Sequence, residues 1–277
     1  MAQPLRFLII GDLVGDPGLA LAQKWIPRLR EEHKIDAVIV NGENSAKNGQ
    51  GITPKCFELL KNIGVNVVTT GNHAFDSKEV TSLFKERDDL LRPLNFHPEC
   101  PGKGYTFLTI GQHMVAVVNI HGRVFVKELL DCPFRMMDSV LTYLRSKTPI
   151  ILVDFHAEAT SEKRIFGMHL DGRVSGVFGT HTHVQTADEM ILPRGTGYIT
   201  DLGCSGSMYS IIGFSFEGAY RKMVVHPRLG KFEVETNAPL VLTGIVLSVD
   251  PSTGQALNIE RIKVVDHDLV VAKSASK

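Results

Sequence analysis

The stretch GTHTH, Gly179 to His183, sets two imidazoles two residues apart immediately after an apolar run. Side chains alternate along an extended segment, so His181 and His183 project to one side, as paired metal ligands do and as two ordinary strand histidines also would. The rest of the chain separates these readings. Asp12 follows FLIIG, Glu43 and Asn44 follow AVIVNG, Asn72 and His73 follow VNVVTTG, and His156 follows IILVDF. Taken singly, Asp12 reads as a turn or helix N-cap and His156 as a satisfied core histidine. In open α/β sheets, however, the ligand crevice lies outside the carboxyl ends of the strands. Five strand ends bearing metal-ligand residue types would converge there, whereas the ordinary readings require five coincidences.

The donor set selects a chemistry. Carboxylate, imidazole and amide oxygen without thiolate suit manganese, iron or zinc held for reaction, not a structural zinc. Asp12, Glu43, Asn44, Asn72, His156, His181 and His183 exceed the three protein ligands usual for one catalytic zinc, and two ions sharing a carboxylate fit them better. Two ions about 3.5–4 Å apart clamp a phosphoryl group and turn a shared water into hydroxide near neutral pH. Phosphoester hydrolysis is the expected reaction.

Alternating short β-branched runs and amphipathic stretches must position these groups. LRFLII, DAVIV and VNVVTT read as strands, with helices over Leu19 to Glu32, Pro54 to Ile63 and about Lys78 to Glu86. HMVAVVNI, PIILVDF and VSGVFG read as further strands, separated by helices over Phe134 to Arg145 and Glu158 to Leu170. The pattern predicts βαβ units and a largely parallel sheet. From Gly195 onward, VLTGIVLSVD and LNIERIKVV flank the turn PSTGQ as a β-hairpin, suggesting a second sheet with antiparallel edges. A single domain over 1–277 is expected, with frayed ends at 1–4 and about 270–277.

Composition narrows the partners. The 277 residues are 43% hydrophobic, enough for a well-filled core, and their 30 basic and 30 acidic residues cancel. No overall field draws the chain to long nucleic acid or to an anionic membrane. Cys56, Cys100, Cys132 and Cys204 form no C-x-x-C, and read as reduced thiols of a cytoplasmic protein. No apolar run has the length of a signal-peptide core or a membrane span.

The order G-D, G-E-N, G-N-H, a lone His and T-H-T-H resembles the calcineurin-like metallophosphoesterase superfamily. Within it, IVNGENSAKNGQGIT, TTGNHAFD, LLRPLNF, DFHAEATSEK, LDGRVSGVFGTHTHVQTADE and YITDLG resemble the bacterial YmdB-like cyclic-nucleotide phosphodiesterases, from about Leu5 to Val265. The resemblance implies a four-layer α/β/β/α sandwich with two mixed sheets. It also implies one ion on Asp12, Glu43, Asn44 and His183, a second on Glu43, Asn72, His156 and His181, and His73 as the group assisting the leaving oxygen. The first motif reads Asp12-Leu13-Val14 where the superfamily has Asp-x-His, and Asn44 is the implied substitute.

Two classes of function follow. The first is a dinuclear metal-dependent phosphodiesterase acting on small nucleotide diesters, 2′,3′-cyclic or 3′,5′-cyclic by resemblance, with iron or manganese ahead of zinc and dimers or tetramers compatible. The same chemistry would serve a phosphomonoesterase or an RNA-directed nuclease. The second is a regulatory or scaffold protein with a metal site and little turnover, for which a complete ligand set beside His73 is unnecessary. His97, Arg123, Lys127 and His121 are read as loop or structural residues, and Asp171 and Asp188 either as orienting carboxylates or as turn residues.

Overall fold

Phe7 and Ile9 face one way along the first strand and Leu8 and Ile10 the other, and all four are fully buried. A strand that is apolar on both faces needs a layer on each side, and that requirement organises the chain. The computed structural model describes residues 3–271. Its first part runs β1 (Leu5–Ile10), β2 (Asp12–Leu13), α1 (Gly15–Glu32), β3 (Ala37–Asn41), α2 (Pro54–Asn62), β4 (Val67–Thr69) and α3 (Val80–Glu86). The middle follows as β5 (Tyr105–Ile110), β6 (His113–His121), α4 (Pro133–Lys147), β7 (Ile151–His156), α5 (Thr160–Leu170), β8 (Gly176–Thr180), β9 (Met190–Ile191) and β10 (Gly197–Ile199). The last part holds β11 (Cys204–Ser207), α6 (Phe216–Tyr220) continued by a wide turn over Arg221–Val225, β12 (Leu240–Val249) and β13 (Ala256–Asp266).

One sheet has the order β2-β11-β12-β1-β3-β4, with β13 on the other edge of β12, and the second has the order β5-β6-β7-β8-β10-β9. Helices α1, α2 and α3 cover the outer face of the first sheet around Leu8, Val38, Val68 and Leu242. Helices α4 and α5 cover the outer face of the second around Val118, Val153, Phe155 and Val177. The inner faces meet through Phe7, Ile9, Ile39, Val117, Leu152, Phe178, Ile245 and Leu247. These are the four layers and two mixed sheets the resemblance implies, helix, sheet, sheet, helix.

The C-terminal hairpin is where the structure corrects the sequence reading. β12 and β13 do pair antiparallel, but they do not build the second sheet: Leu5 to Ile10 pair with Val249 to Gly244, so the hairpin extends the first. The physical reason is the free edge of β1. β3 takes one edge of that strand in parallel, and a fully buried strand cannot leave the other unpaired. The second sheet does have antiparallel edges, supplied by β5 against β6 and by β9 against β10. Leu269 and Val271 pack partly against the first core, and the frayed ends expected at 1–4 and 270–277 otherwise fall largely outside the described residues. No helix among the described residues is long and apolar enough to cross a membrane.

The hairpin is tied to α1 by one carboxylate. Asp266 Oδ2 lies 2.6 Å from Lys24 Nζ and accepts Trp25 Nε1–H at 2.7 Å, while its Oδ1 accepts the amides of Asp268 and Leu269. Burial works against the charge, but these donors outweigh it and hold the Asp266 carboxyl down to about 2. A depressed carboxyl stabilises the fold fully above its unfolded value of about 3.9, and that contribution disappears as the pH falls through about 2. Asp266→Asn is therefore expected to cost about 1–3 kcal/mol at neutral pH. Urea unfolding of both proteins should show the gap narrowing from pH 4 downward, and a gap independent of pH would refute the assignment.

Candidate metal centre

The chain leaves the first sheet at the carboxyl ends of β1, β3 and β4 and the second at those of β7 and β8; His156 is the last residue of β7, and the other six predicted ligands sit in the segments that follow these strands. Asp12, Glu43, Asn44 and His156 are buried; His181 and His183 are partly so. They form two neighbouring groups of acceptor atoms.

The first group centres on His156 Nε2, which lies 3.0 Å from Glu43 Oε1, 3.1 Å from Asn72 Oδ1 and 3.0 Å from His181 Nδ1. The outer hydrogen bonds decide which ring nitrogens are free. Thr180 Oγ1–H donates to Asp154 Oδ1 at 2.7 Å, so its oxygen accepts from His156 Nδ1–H at 2.9 Å and leaves Nε2 with a lone pair. Glu158 Oε2 lies 3.1 Å from His181 Nε2, and accepting from it leaves Nδ1 as the free nitrogen. Lone pairs of two imidazoles, a carboxylate and an amide oxygen thus point together without a donor among them. Glu43, His156 and His181 offer ligand atoms within 4.8 Å of one another.

The second group is built in the same way. His183 Nδ1–H donates to Ile212 O at 2.8 Å, freeing Nε2, which lies 3.3 Å from Asn44 Oδ1 and 3.7 Å from Asp12 Oδ1. Asn44 spends its Nδ2 on Gly49 O. Asp12 Oδ2 accepts the His181 amide, but Oδ1 is buried without a hydrogen-bond partner. An orphaned buried carboxylate oxygen is costly unless a cation meets it. The residues present therefore fit divalent cations, by donor chemistry and by this unmet oxygen.

The local charges respond as the crowding requires. Burial raises the Asp12 carboxyl well above its ordinary range. Burial also opposes the charge on Glu43, but His156, then His73 and His181, outweigh it and hold that carboxyl low. His156 is raised by Glu43, Asp12 and Asp154 against the effect of burial, while burial and the charge of His156 push His181 down to about 2.

His73 stands beside the groups. Its backbone amide donates to Glu43 Oε2 at 3.1 Å, and its ring Nδ1 lies 2.6 Å from Asp76 Oδ2. Asp76, Asp154 and Thr180 escaped the sequence reading. So did Asn41, which donates from Nδ2 to Asp154 and accepts the Glu43 amide on Oδ1. A charged residue inside the otherwise apolar strand IILVDF was the available signal for Asp154. His121, read as structural, lies with its ring 5.1 Å from that of His156, and its Nε2 has no partner among the described residues. Asp171 accepts the Arg194 and Thr196 amides, and Asp188 binds Thr186 and Thr200, so both brace turns and neither orients a histidine. His97, Arg123 and Lys127 are exposed.

A family model described as YmdB-like protein matches residues 8–262. A relative from Bacillus subtilis (strain 168), 41% identical across 95% of this chain and 98% of its own, carries the name 2′,3′-cyclic-nucleotide 2′-phosphodiesterase. The crystal structure of a novel phosphatase from Mycoplasma pneumoniae superposes with a TM-score of 0.89 at 34% identity, covering 97% of this chain and 96% of that one. The NAD nucleotidase of Haemophilus influenzae shares the fold alone, with a TM-score of 0.58 at 15% identity over 95% of this chain and 56% of its own.

Gly71 passes so close to the first group that a Cβ there would lie 2.2 Å from the His156 ring. Gly71→Ala must push the imidazole aside or move the Asn72–His73 segment, an overpacking that costs about 1–3 kcal/mol. Calorimetric titration with Mn²⁺ should show binding weakened at least tenfold in this variant, and wild-type binding would contradict the packing argument.

Proposed function

The chain belongs to the YmdB-like family, and from that premise we propose that it hydrolyses 2′,3′-cyclic nucleotides with two divalent metal ions at the two acceptor groups. The observation that carries this reading is the convergence on His156 Nε2 of acceptors with no donor among them, beside a His73 tied to the same carboxylate. Phosphoric diester hydrolysis at large is supported by the family and by the named relative.

In this reading Asp12, Glu43, Asn44 and His183 would hold one ion and Glu43, Asn72, His156 and His181 the other. Bound divalent ions supply Lewis acidity toward a phosphoryl oxygen and acidify water to a nucleophile near neutral pH. The chain's own residues do the rest. Asp154, through Thr180, keeps the proton of His156 on Nδ1, and Ile212 O does the same for His183. Asp76 holds the Nδ1–H of His73 and orients the ring, so its Nε2 is the end that serves the substrate. As water forms the new bond to phosphorus and releases one proton to solvent, the bond to one ribose oxygen breaks; His73, as the imidazolium with Nδ1–H on Asp76, gives that oxygen its Nε2 proton and regains one from solvent. The product is a nucleoside monophosphate.

Iron and manganese take the same donors, and availability selects between them. The balanced net charge favours a small diester over long nucleic acid.

The test is hydrolysis of 2′,3′-cyclic AMP, 3′,5′-cyclic AMP, a bis-aryl phosphodiester and an aryl phosphomonoester by the Mn²⁺-loaded protein. We expect 2′,3′-cyclic AMP to be preferred and His73→Ala to lose about 10²–10⁴-fold in kcat with its metal content unchanged. Asp76→Asn should follow in the same direction by a smaller factor. Preference for the monoester would replace the diesterase reading with a phosphatase, and undiminished turnover in His73→Ala would remove that residue from the chemistry.

A further inference from the structure

His181 and His183 both have positive φ, 99° and 65°, a backbone region that side-chain-bearing residues rarely enter. Such strain persists only where the surroundings over-determine it. Something must hold this segment, and of the candidate ligands only Asp12 reaches its backbone, at the His181 amide.

We propose that the buried Lys163–Asp201 pair is the positioning element of the metal centre, holding Thr180 to His183 in the one conformation that presents both imidazoles. The inference rests on the metal-binding reading above and deepens it. Lys163, on α5, is 1% exposed and Asp201 is completely buried. Lys163 Nζ donates to Thr180 O at 2.8 Å, the last residue of β8 before His181, and lies 2.5 Å from Asp201 Oδ2. That same oxygen accepts the amide of Thr182 at 3.2 Å and its hydroxyl at 2.8 Å, so it grips the residue between the two histidines. Asp201 Oδ1 accepts the Gly203 amide at 2.8 Å, and Gly203 O in turn accepts the Asp12 amide at 3.1 Å. The Cys204 amide completes the clamp by donating to His183 O.

One carboxylate therefore lies within a hydrogen bond of the peptide between His181 and His183, and within two of the backbone of Asp12. Four donors fill its oxygens, so its role is to position and not to touch a ligand. Stability alone does not call for a charged pair here, because apolar residues of similar volume in such a place are often as stable or more so. What an apolar pair could not supply is an acceptor for the amide and hydroxyl of Thr182 and a close donor for Thr180 O, whose backbone donor, the Ala157 amide, lies 3.4 Å away. The motifs that carry the pair, TSEK and YITDLG, have no other role in the centre.

The test measures Mn²⁺ affinity of the chelator-stripped full chain by calorimetry, together with its ion-free thermal midpoint and the EPR spectrum of the bound Mn²⁺. Thr182→Val removes one donor without leaving a charge unpaired. We expect its ion-free midpoint to stay near wild type while the Mn²⁺ dissociation constant rises about tenfold, and Thr182→Ser, which keeps the hydroxyl, to restore it. Asp201→Asn should weaken binding by about 10–100-fold and alter the Mn²⁺ spectrum. Should Asp201→Asn fail to fold, the Thr182 pair decides. Wild-type affinity in Thr182→Val overturns the inference while leaving the metal reading intact. A wild-type chain that binds no Mn²⁺ overturns the metal reading, and this inference with it.

Discussion

Everything at the centre follows from lone pairs that face one another. His156 Nε2, His181 Nδ1, Glu43 Oε1 and Asn72 Oδ1 meet without a donor between them, and Asp12 Oδ1 is buried without a partner. A folded chain avoids such crowding unless a cation resolves it. Without one, the ring of His156 can relieve it only by taking a proton, which is the direction Glu43 and Asp12 push it. One proton satisfies one acceptor at a time, whereas a divalent ion satisfies several. The outer hydrogen bonds make sense only against this demand: Thr180, Ile212 and Glu158 each engage the ring nitrogen that faces away.

That logic explains which parts of the centre could be read in the sequence. Asp12, Glu43, Asn44, Asn72, His156, His181 and His183 could be picked out as candidates because each ends or follows an apolar strand, and strand ends in such a fold share one crevice. The residues that orient them could not. Lys163 lies in a helix whose TSEK start reads as a solvated face, yet it is buried, because it reaches inward to Thr180 and Asp201. Asp201 lies in a loop segment with no periodicity to distinguish it from a turn carboxylate. Asp76 is only three residues from His73, but that spacing becomes a contact only because the segment after Asn72 turns tightly.

The fold was legible to a similar depth and failed for a related reason. Strands buried on both faces are largely apolar, so β1, β3, β6 and β7 stand out, but their patterns say nothing about which edges meet. The antiparallel hairpin was visible as β12 and β13, whereas its sheet was not. The free edge of β1 settles that question, and it is a property of the assembled sheet.

The two sheets contribute unequally to the centre, and this makes their spacing a chemical variable. Asp12, Glu43, Asn44 and Asn72 come from the first sheet, and His156, His181 and His183 from the second. Both acceptor groups therefore straddle the interface, and each distance in them is set by the apolar layer between. There Leu247 of the first sheet presses on Gly176 and Gly197 of the second, where an added Cβ would lie 2.7 Å and 2.6 Å from its methyl carbons. Those two glycines let the sheets approach, and Gly176 begins β8, the strand whose other end leads into His181. A close-packed interior transmits such a displacement instead of absorbing it. A methyl group inserted there would act on the separation of Glu43 from His156, so the core between the sheets belongs to the chemistry as much as to the stability of this fold.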